Sequence, residues 1–457
     1  MEGVESQIAE WRAYISAAPA VNGRDLDELE GHLRDQIADL AAGALTADEA
    51  FLIAVKRMGD LDNLSREFAR EHSNRLWKQL VVEGEEEPAR LSSGGFEAFV
   101  FALAAAIAVQ VARLAAQLPQ GDPTVLVLGE PEPSWLLRNA GLFVLPFIAG
   151  YFARRRQFDT RRWVLSAVPF VVAALVVNLY PFRAGSPTEL LVAIHLPIVL
   201  WFAVAYPYMG GTVLSHERRM DFVRFTGEWV IYYVLIALGG GVLLLLTSLI
   251  LEPIGSDLPE RVFEWVLPSG AAGAVVVAGW LVESKQRVVE NMAPVLTTLF
   301  TPLFAVMLTV AATTYAVFGF AGAFDRELLG VLDALLVVVL GLVLYGMSAR
   351  DPFGRAGWVD RVQLVAVVSA LVLDVMVLGA MVARIGDLGF TPNRAAALGL
   401  NLVLLVNLAG TTWLSLRFLR GRTDFHRLER WQTSYLPIFA LWASIVVAAF
   451  PLLFGFA

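Results

Sequence analysis

Residues 361–384 read RVQLVAVVSALVLDVMVLGAMVAR, an almost unbroken apolar run with an arginine at each end and one aspartate, Asp374, near the middle. At the rise of an α-helix, about 1.5 Å per residue, a run of this length crosses the ~30 Å hydrocarbon core of a bilayer. Ten further segments of the same kind flank it, at roughly 97–118, 134–153, 162–181, 189–210, 227–251, 262–282, 293–318, 327–348, 394–416 and 434–456. The expected fold is all-α: a polytopic membrane bundle of about eleven transmembrane helices, preceded by a small helical domain.

Composition agrees with that division. Hydrophobic residues make up 57% of the 457 residues and charged residues 17%, whereas soluble domains carry nearer a quarter charged. The predicted organisation is a helical domain at 1–80, an acidic Ser/Gly linker at 81–96 and a transmembrane domain at 97–456. Met1 to Glu10 is acidic and lacks the basic and apolar regions of a cleavable signal peptide, so the first span is expected to serve as the targeting signal. There is no cysteine, which excludes disulfides and thiolate chemistry. The five histidines, His32, His72, His195, His216 and His426, show no metal-ligand spacing.

In the amino-terminal region, Ile8, Trp11 and Ile15 share one helical face. Leu26, Leu29, Leu33, Ile37 and Leu40 line a second helix, closed by Gly43. Thr46 and Glu49 form a capping box that opens a third helix, with Phe51, Ala54, Val55 and Met58 inward. A fourth carries Leu61, Leu64 and Phe68, and Glu83 to Gly95 reads as a flexible tether. Residues 1–80 hold 15 acidic and 9 basic side chains. A module with that balance repels phosphate, so direct nucleic-acid binding is not expected.

The pattern Asp27-Glu28-Leu29-Glu30-Gly31-His32-Leu33-Arg34-Asp35, followed by Glu49-Ala50, Gly59-Asp60-Leu61-Asp62-Asn63-Leu64 and Glu67-Phe68, resembles the permease prefix domain, the helical signalling module also called HAAS. It covers about residues 5–72. The resemblance implies a cytoplasmic domain that partners a PadR-like transcription regulator. On that reading Leu29, Leu33, Phe51 and Phe68 build the core, and Asp27, Glu30, Arg34 and Asp35 are candidates for the partner surface. Farther along, Tyr206-Pro207-Tyr208, Phe225 to Tyr233 and the stretch Gly386-Asp387-Leu388-Gly389-Phe390-Thr391-Pro392-Asn393-Arg394-Ala395 resemble the bacterial membrane family called domain of unknown function 4153. That family has no established activity. Thr391-Pro392-Asn393 is also a good helix start, with Thr391 able to cap and Pro392 pre-set for the first turn.

Alternate connections between spans hold 18 and 5 Lys and Arg residues. The rich set includes Arg154, Arg155, Arg156, Arg161, Arg162 and, near the end, Arg417, Arg420, Arg422, Arg427, Arg430; the poor set is Arg183, Arg261, Arg326, Arg384, Arg394. Positive charge stays on the cytoplasmic side, which predicts a cytoplasmic amino terminus and Ala457 outside the inner membrane. Trp135, Trp163, Trp201, Trp229, Trp265, Trp358, Trp413 and Trp431 lie near span ends, where indoles anchor to headgroups. Gly239-Gly240-Gly241 and Ser269 to Ala274 offer small-residue faces for close packing.

Ionisable and amide side chains inside the spans are the candidate site. Asp374, with Asn401 and Asn407 in the next span and Asn178, His195 and Asp333 in the outer halves of theirs, would line a polar pocket. The bland alternative is that each is satisfied by a neighbouring helix, Asp374 against Asn407 and His195 against a carbonyl. No nucleophile elbow, phosphate loop or paired metal-binding acids occur, so no catalytic residue, cofactor or metal is expected and the chain is not read as an enzyme. Two functions follow. One is a membrane-anchored sensor or signalling protein working through the PadR-like regulator. The other is a transporter or lipid-handling permease with a regulatory prefix. Stimulus, substrate and oligomeric state leave no sequence signal.

Overall fold

The computed structural model describes residues 93–117, 134–251, 258–285, 292–318, 326–350, 354 and 356–456, together with Ile8, Arg12, Glu30, Gly31, Leu33, Arg34, Asp35, Ile37, Leu40, Ala50, Phe51 and Ala54. The chain divides into two compact units, Met1–Arg90 and Leu91–Ala457.

In the first unit Ile8, Leu33, Ile37, Ala50 and Ala54 are buried and Phe51 is half-buried, so the inward faces expected for three helices meet at least at these positions. Glu30 sits between two guanidinium groups, pairing with Arg12 and, at 2.8 Å, with Arg34. Hydrogen bonds from Arg34 and Arg12 hold its carboxyl below the usual glutamate range. Asp35 is exposed. Asp27, Leu29 and Phe68 lie outside the described residues.

The second unit is built from α1 (Ser93–Gln117), α2 (Ser134–Arg155), α3 (Thr160–Leu179), α4 (Pro187–Tyr208), α5 (His216–Leu251), α6 (Leu258–Lys285), α7 (Met292–Phe318), α8 (Arg326–Ser348), α9 (Trp358–Leu388), α10 (Pro392–Leu419), α11 (Phe425–Ala448) and the single turn α12 (Phe450–Leu453). No strand occurs among the described residues. Helices α1 to α11 each contain a stretch long and apolar enough to cross a membrane. Their outer faces carry exposed Val171, Leu175, Leu243, Leu246, Val306 and Val338, more apolar surface than water tolerates. The protein is a multi-pass integral membrane protein.

Two apolar cores organise the bundle. The first joins α1 to α6 around Ile148, Phe152, Leu196, Leu200, Phe225 and Val276. The second joins α7 to α11 around Leu308, Leu336, Leu373, Leu404 and Leu408. They meet where α4 packs on α11 and α5 on α8. At the latter seam Gly227 lies so close to the Tyr345 ring that any side chain there would overlap it.

The antiparallel alternation gathers the arginine-rich ends on one face. Arg156 and Arg155 at the end of α2 pair with Glu283 of α6 at 2.7 and 3.7 Å, and Arg154 reaches Glu97 at the start of α1 at 3.0 Å. On the same side Arg224 donates to the Ser348 carbonyl, and Arg350 pairs with Asp360 at 2.8 Å. His216 and Arg219, in the first turn of α5, are tied to Thr433 at 2.8 and 3.2 Å.

Several sequence expectations change. Helix α1 begins at Ser93, inside the stretch read as linker: Gly94 and Gly95 are buried, and Gly94 admits the Arg155 guanidinium at a distance a side chain would crowd. Helix α5 starts at His216 rather than near 227, because its charged first turns continue the helix beyond the apolar run. Trp201 and Trp229 are not headgroup anchors. Their rings contact each other at 4.4 Å inside the first core, and their indole N–H groups donate to Thr226 Oγ1 and the Val275 carbonyl. Gly239, Gly240 and Gly241 have no neighbour within 4 Å, whereas Gly273 does pack against the Ala102 carbonyl, 3.5 Å from where a Cβ would lie. Thr391 occupies the N-cap of α10 without a side-chain cap bond, ahead of Pro392. The turn is closed instead by Arg394, which donates to the carbonyls of Leu388 and Gly389 at 2.7 and 2.6 Å. Gly389 has φ +80°, a conformation that favours glycine.

Candidate functional site

Asp374 lies halfway along α9, where the chain passes between two apolar clusters. One contains Leu336, Leu373 and Leu404; the other contains Leu332, Val377 and Met381. The carboxyl is 0% exposed and neither oxygen has a hydrogen-bond partner. Asp333 reaches the same level from α8, where its neighbours Leu336 and Leu332 belong to the same two clusters as Leu373 and Val377 beside Asp374. From α10, Asn401 donates through Nδ2 to Asp333 Oδ1 at 2.8 Å and to the Ala397 carbonyl at 2.9 Å. Its Oδ1 is buried and unpartnered. Three of the six residues predicted from sequence, on three different helices, therefore meet at one place.

The remaining three do not join them. Asn407 donates to Gln432 Oε1 at 3.0 Å. Gln432 in turn donates to Thr411 Oγ1 at 2.6 Å, and Thr411 to the Asn407 carbonyl at 2.7 Å. This buried α10–α11 network is satisfied by its own members, so Asn407 is not the partner of Asp374. Asn178 of α3 exchanges hydrogen bonds with Asn139 of α2 at 2.8 and 2.9 Å. His195 Nδ1 lies 2.8 Å from the Leu191 carbonyl one turn earlier, the arrangement expected of a locally satisfied histidine. The single polar pocket imagined from sequence resolves into separate hydrogen-bonded groups, because helices α3 and α4 belong to the first core and α8 to α10 to the second.

A second buried polar feature went unremarked in the sequence. Arg138 of α2 forms an ion pair with Glu189 of α4, with only 10% and 5% of the side chains exposed. The Arg138 guanidinium lies 4.6 Å from the Phe182 ring centre, and Glu189 Oε2 accepts from the Gly185 N–H at 2.8 Å. Two signals point to it: an arginine inside an apolar span, and Ser186-Pro187-Thr188-Glu189, a helix-start signature. Ser186 Oγ does accept from the Glu189 N–H, at 3.3 Å. The pair stands apart from the acidic residues of α8 and α9, and it leaves Arg138 Nε buried without a hydrogen-bond partner.

Elsewhere a cavity of about 290 Å³ opens between α1, α2, α5 and α6, lined mainly by Val109, Leu137, Phe143, Val144 and Pro268. It is mostly apolar, with Arg113 and Tyr233 also in its wall, and touches none of the acidic residues above. No group of three or more His, Cys, Asp or Glu suited to a metal occurs among the described residues. Comparison with known proteins finds no matching family model, no matching curated protein and no matching solved structure.

Proposed function

We propose that this protein is a membrane-anchored sensor of the bacterial inner membrane, in which the bundle responds to a membrane or envelope condition and residues 1–80 relay it to a PadR-like regulator. The observation that carries this reading is the union in one chain of a polar helical unit with an eleven-helix apolar bundle. The likeness of residues 5–72 to permease prefix domains supplies the partner class. Asp35 is the exposed acid on the proposed partner surface, whereas Glu30 is engaged by Arg12 and Arg34. Full-length protein extracted from membranes is expected to co-purify with a PadR-like regulator from the same genome. Asp35→Ala is expected to cut capture about tenfold, the scale of one charge-assisted contact. Failure to bind any such regulator overturns the reading.

The orientation belongs to the same proposal: amino-terminal domain in the cytoplasm, Ala457 outside. A reporter fused after Ala457 is expected to show the extracytoplasmic type, and one fused after Arg422 the cytoplasmic type. If both report one side, the eleventh helix does not cross; if both are reversed, the orientation is wrong. One observation favours a second reading, a transporter or lipid-handling permease with a regulatory prefix: the unpartnered Asp374 in mid-bundle. Intramembrane acids of that kind line ion and proton routes in carriers.

A further inference from the structure

We propose that Asp333, Asp374 and Asn401 form a binding site for one small monovalent cation, a proton or a sodium ion, in the middle of the membrane bundle. The proposal goes beyond either functional reading and does not depend on which of them holds.

It rests first on hydrogen-bond accounting. Both N–H groups of Asn401 are used, one on Asp333 and one on Ala397. Three buried acceptors then remain without a donor: both oxygens of Asp374 and Oδ1 of Asn401. Native proteins seldom leave such groups unfilled, and in hydrocarbon the cost of doing so rises. Nearby hydroxyls are committed elsewhere. Thr309 is bonded to the Ala305 carbonyl and to Ser369, and Thr313 to the Thr309 carbonyl.

Charge makes the same demand independently. The helices packed on α9 are α7, α8 and α10. Across their membrane depth they supply one acid, Asp333 of α8, and two tyrosines: Tyr315 of α7, packed against both flanking clusters, and Tyr345, twelve residues beyond Asp333 near the far end of α8. Helix α10 contributes only the amides Asn401 and Asn407. The basic residues of α8, α9 and α10 stand at their ends: Arg326, Arg361, Arg384, Arg394 and Arg417. Arg384 and Arg361 are ten and thirteen positions from Asp374, about 15 Å or more along the helix. The chain thus buries an acid without supplying its countercharge.

Ligand chemistry narrows the occupant. The site offers carboxyl and amide oxygens and neither sulfur nor imidazole, a set that suits hard cations. Asp333 keeps a partly exposed edge and a hydrogen-bond donor, while Asp374 has neither, so the unmet charge is one. A calcium ion takes six to eight oxygens, more than these three side chains provide.

The test uses full-length protein in detergent, wild type and Asp374→Asn, followed by intrinsic fluorescence during heating. In one arm sodium chloride replaces choline chloride at pH 8 and constant ionic strength. In the other, pH is varied from 5.5 to 8.5 in choline chloride. If sodium is the occupant, it raises the wild-type Tm by about 2 °C or more over choline, and Asp374→Asn abolishes the rise. If the proton is the occupant, sodium has no specific effect, and wild-type Tm falls relative to Asp374→Asn as pH rises. A wild type indifferent to both, a dependence that survives in Asp374→Asn, or stabilisation by calcium in place of sodium overturns the proposal. Should the variant fail to fold, the wild type is labelled with a hydrophobic carbodiimide and mapped by peptide mass. Labelling of Asp374 suppressed by sodium or by raised pH supports the site. Labelling unaffected by either, or absent from Asp374, overturns it.

Discussion

Arg138→Ala is expected to destabilise the membrane unit by about 3–5 kcal/mol, and Glu189→Ala by a similar amount. Each leaves the other charge in a place from which water is nearly excluded, with only 10% and 5% of the two side chains exposed. The loss reaches past the pair itself. The Glu189 carboxylate also accepts the Gly185 N–H, so its removal leaves that donor unpaired, while the backbone N–H held by Ser186 is kept. Arg138 loses its place over Phe182 in either case. Replacing both together, as Arg138→Met with Glu189→Leu, is expected to recover most of the stability, since a buried pair contributes little beyond an apolar pair of similar volume. Unfolding of the full chain in mixed micelles measures all three. Single variants that lose less than about 1 kcal/mol would show the pair to be solvated, in the manner of a surface ion pair.

Gly399→Ala is the second large effect, an expected loss of about 1–3 kcal/mol from overpacking. The indole of Trp442 on α11 occupies the space where a side chain at 399 on α10 would begin, and a Cβ there would overlap the ring. Eleven residues further along α10, about three turns, Gly410 makes the same accommodation for Trp431. These are ring-into-groove contacts between rigid helices, so little can give way. The double variant Gly399→Ala with Trp442→Leu is expected to be more stable than Gly399→Ala alone. If the two changes simply add, the ring is not what the glycine accommodates.

The number and placement of the spans were legible because apolar length is a property of the chain itself. Boundaries failed where polarity and helix part company: the first turns of α5 are charged yet helical, and Gly94 and Gly95 are small yet buried in a helix. Packing partners were harder to read. A helix apolar all round presents no periodic face, so nothing in residues 361–384 says that α8 and α10, rather than α3 or α4, stand beside Asp374. The burial of Asp374 could be read from its place in an apolar run. Its company could not, because Asp333 and Asn401 arrive from other helices through tertiary contacts alone. For the same reason the tryptophans misled: position near a span end does not distinguish a headgroup anchor from Trp201, whose ring packs at a tilt against Trp229.

The seam between the two cores has a consequence for biogenesis. Spans enter the bilayer in order as they leave the ribosome, yet α4 takes one of its main neighbours from α11. Val447 completes the first core, and the Tyr180 hydroxyl donates to the Ala448 carbonyl at 2.8 Å. Six helices made early therefore wait, with one flank against lipid, for α11. Lipid is as apolar as the missing helix, so the waiting intermediate carries little hydrophobic penalty. What α11 adds is tight packing and a handful of polar contacts. Its arrival adds the α4–α11 face to the α5–α8 seam, which earlier spans can already form.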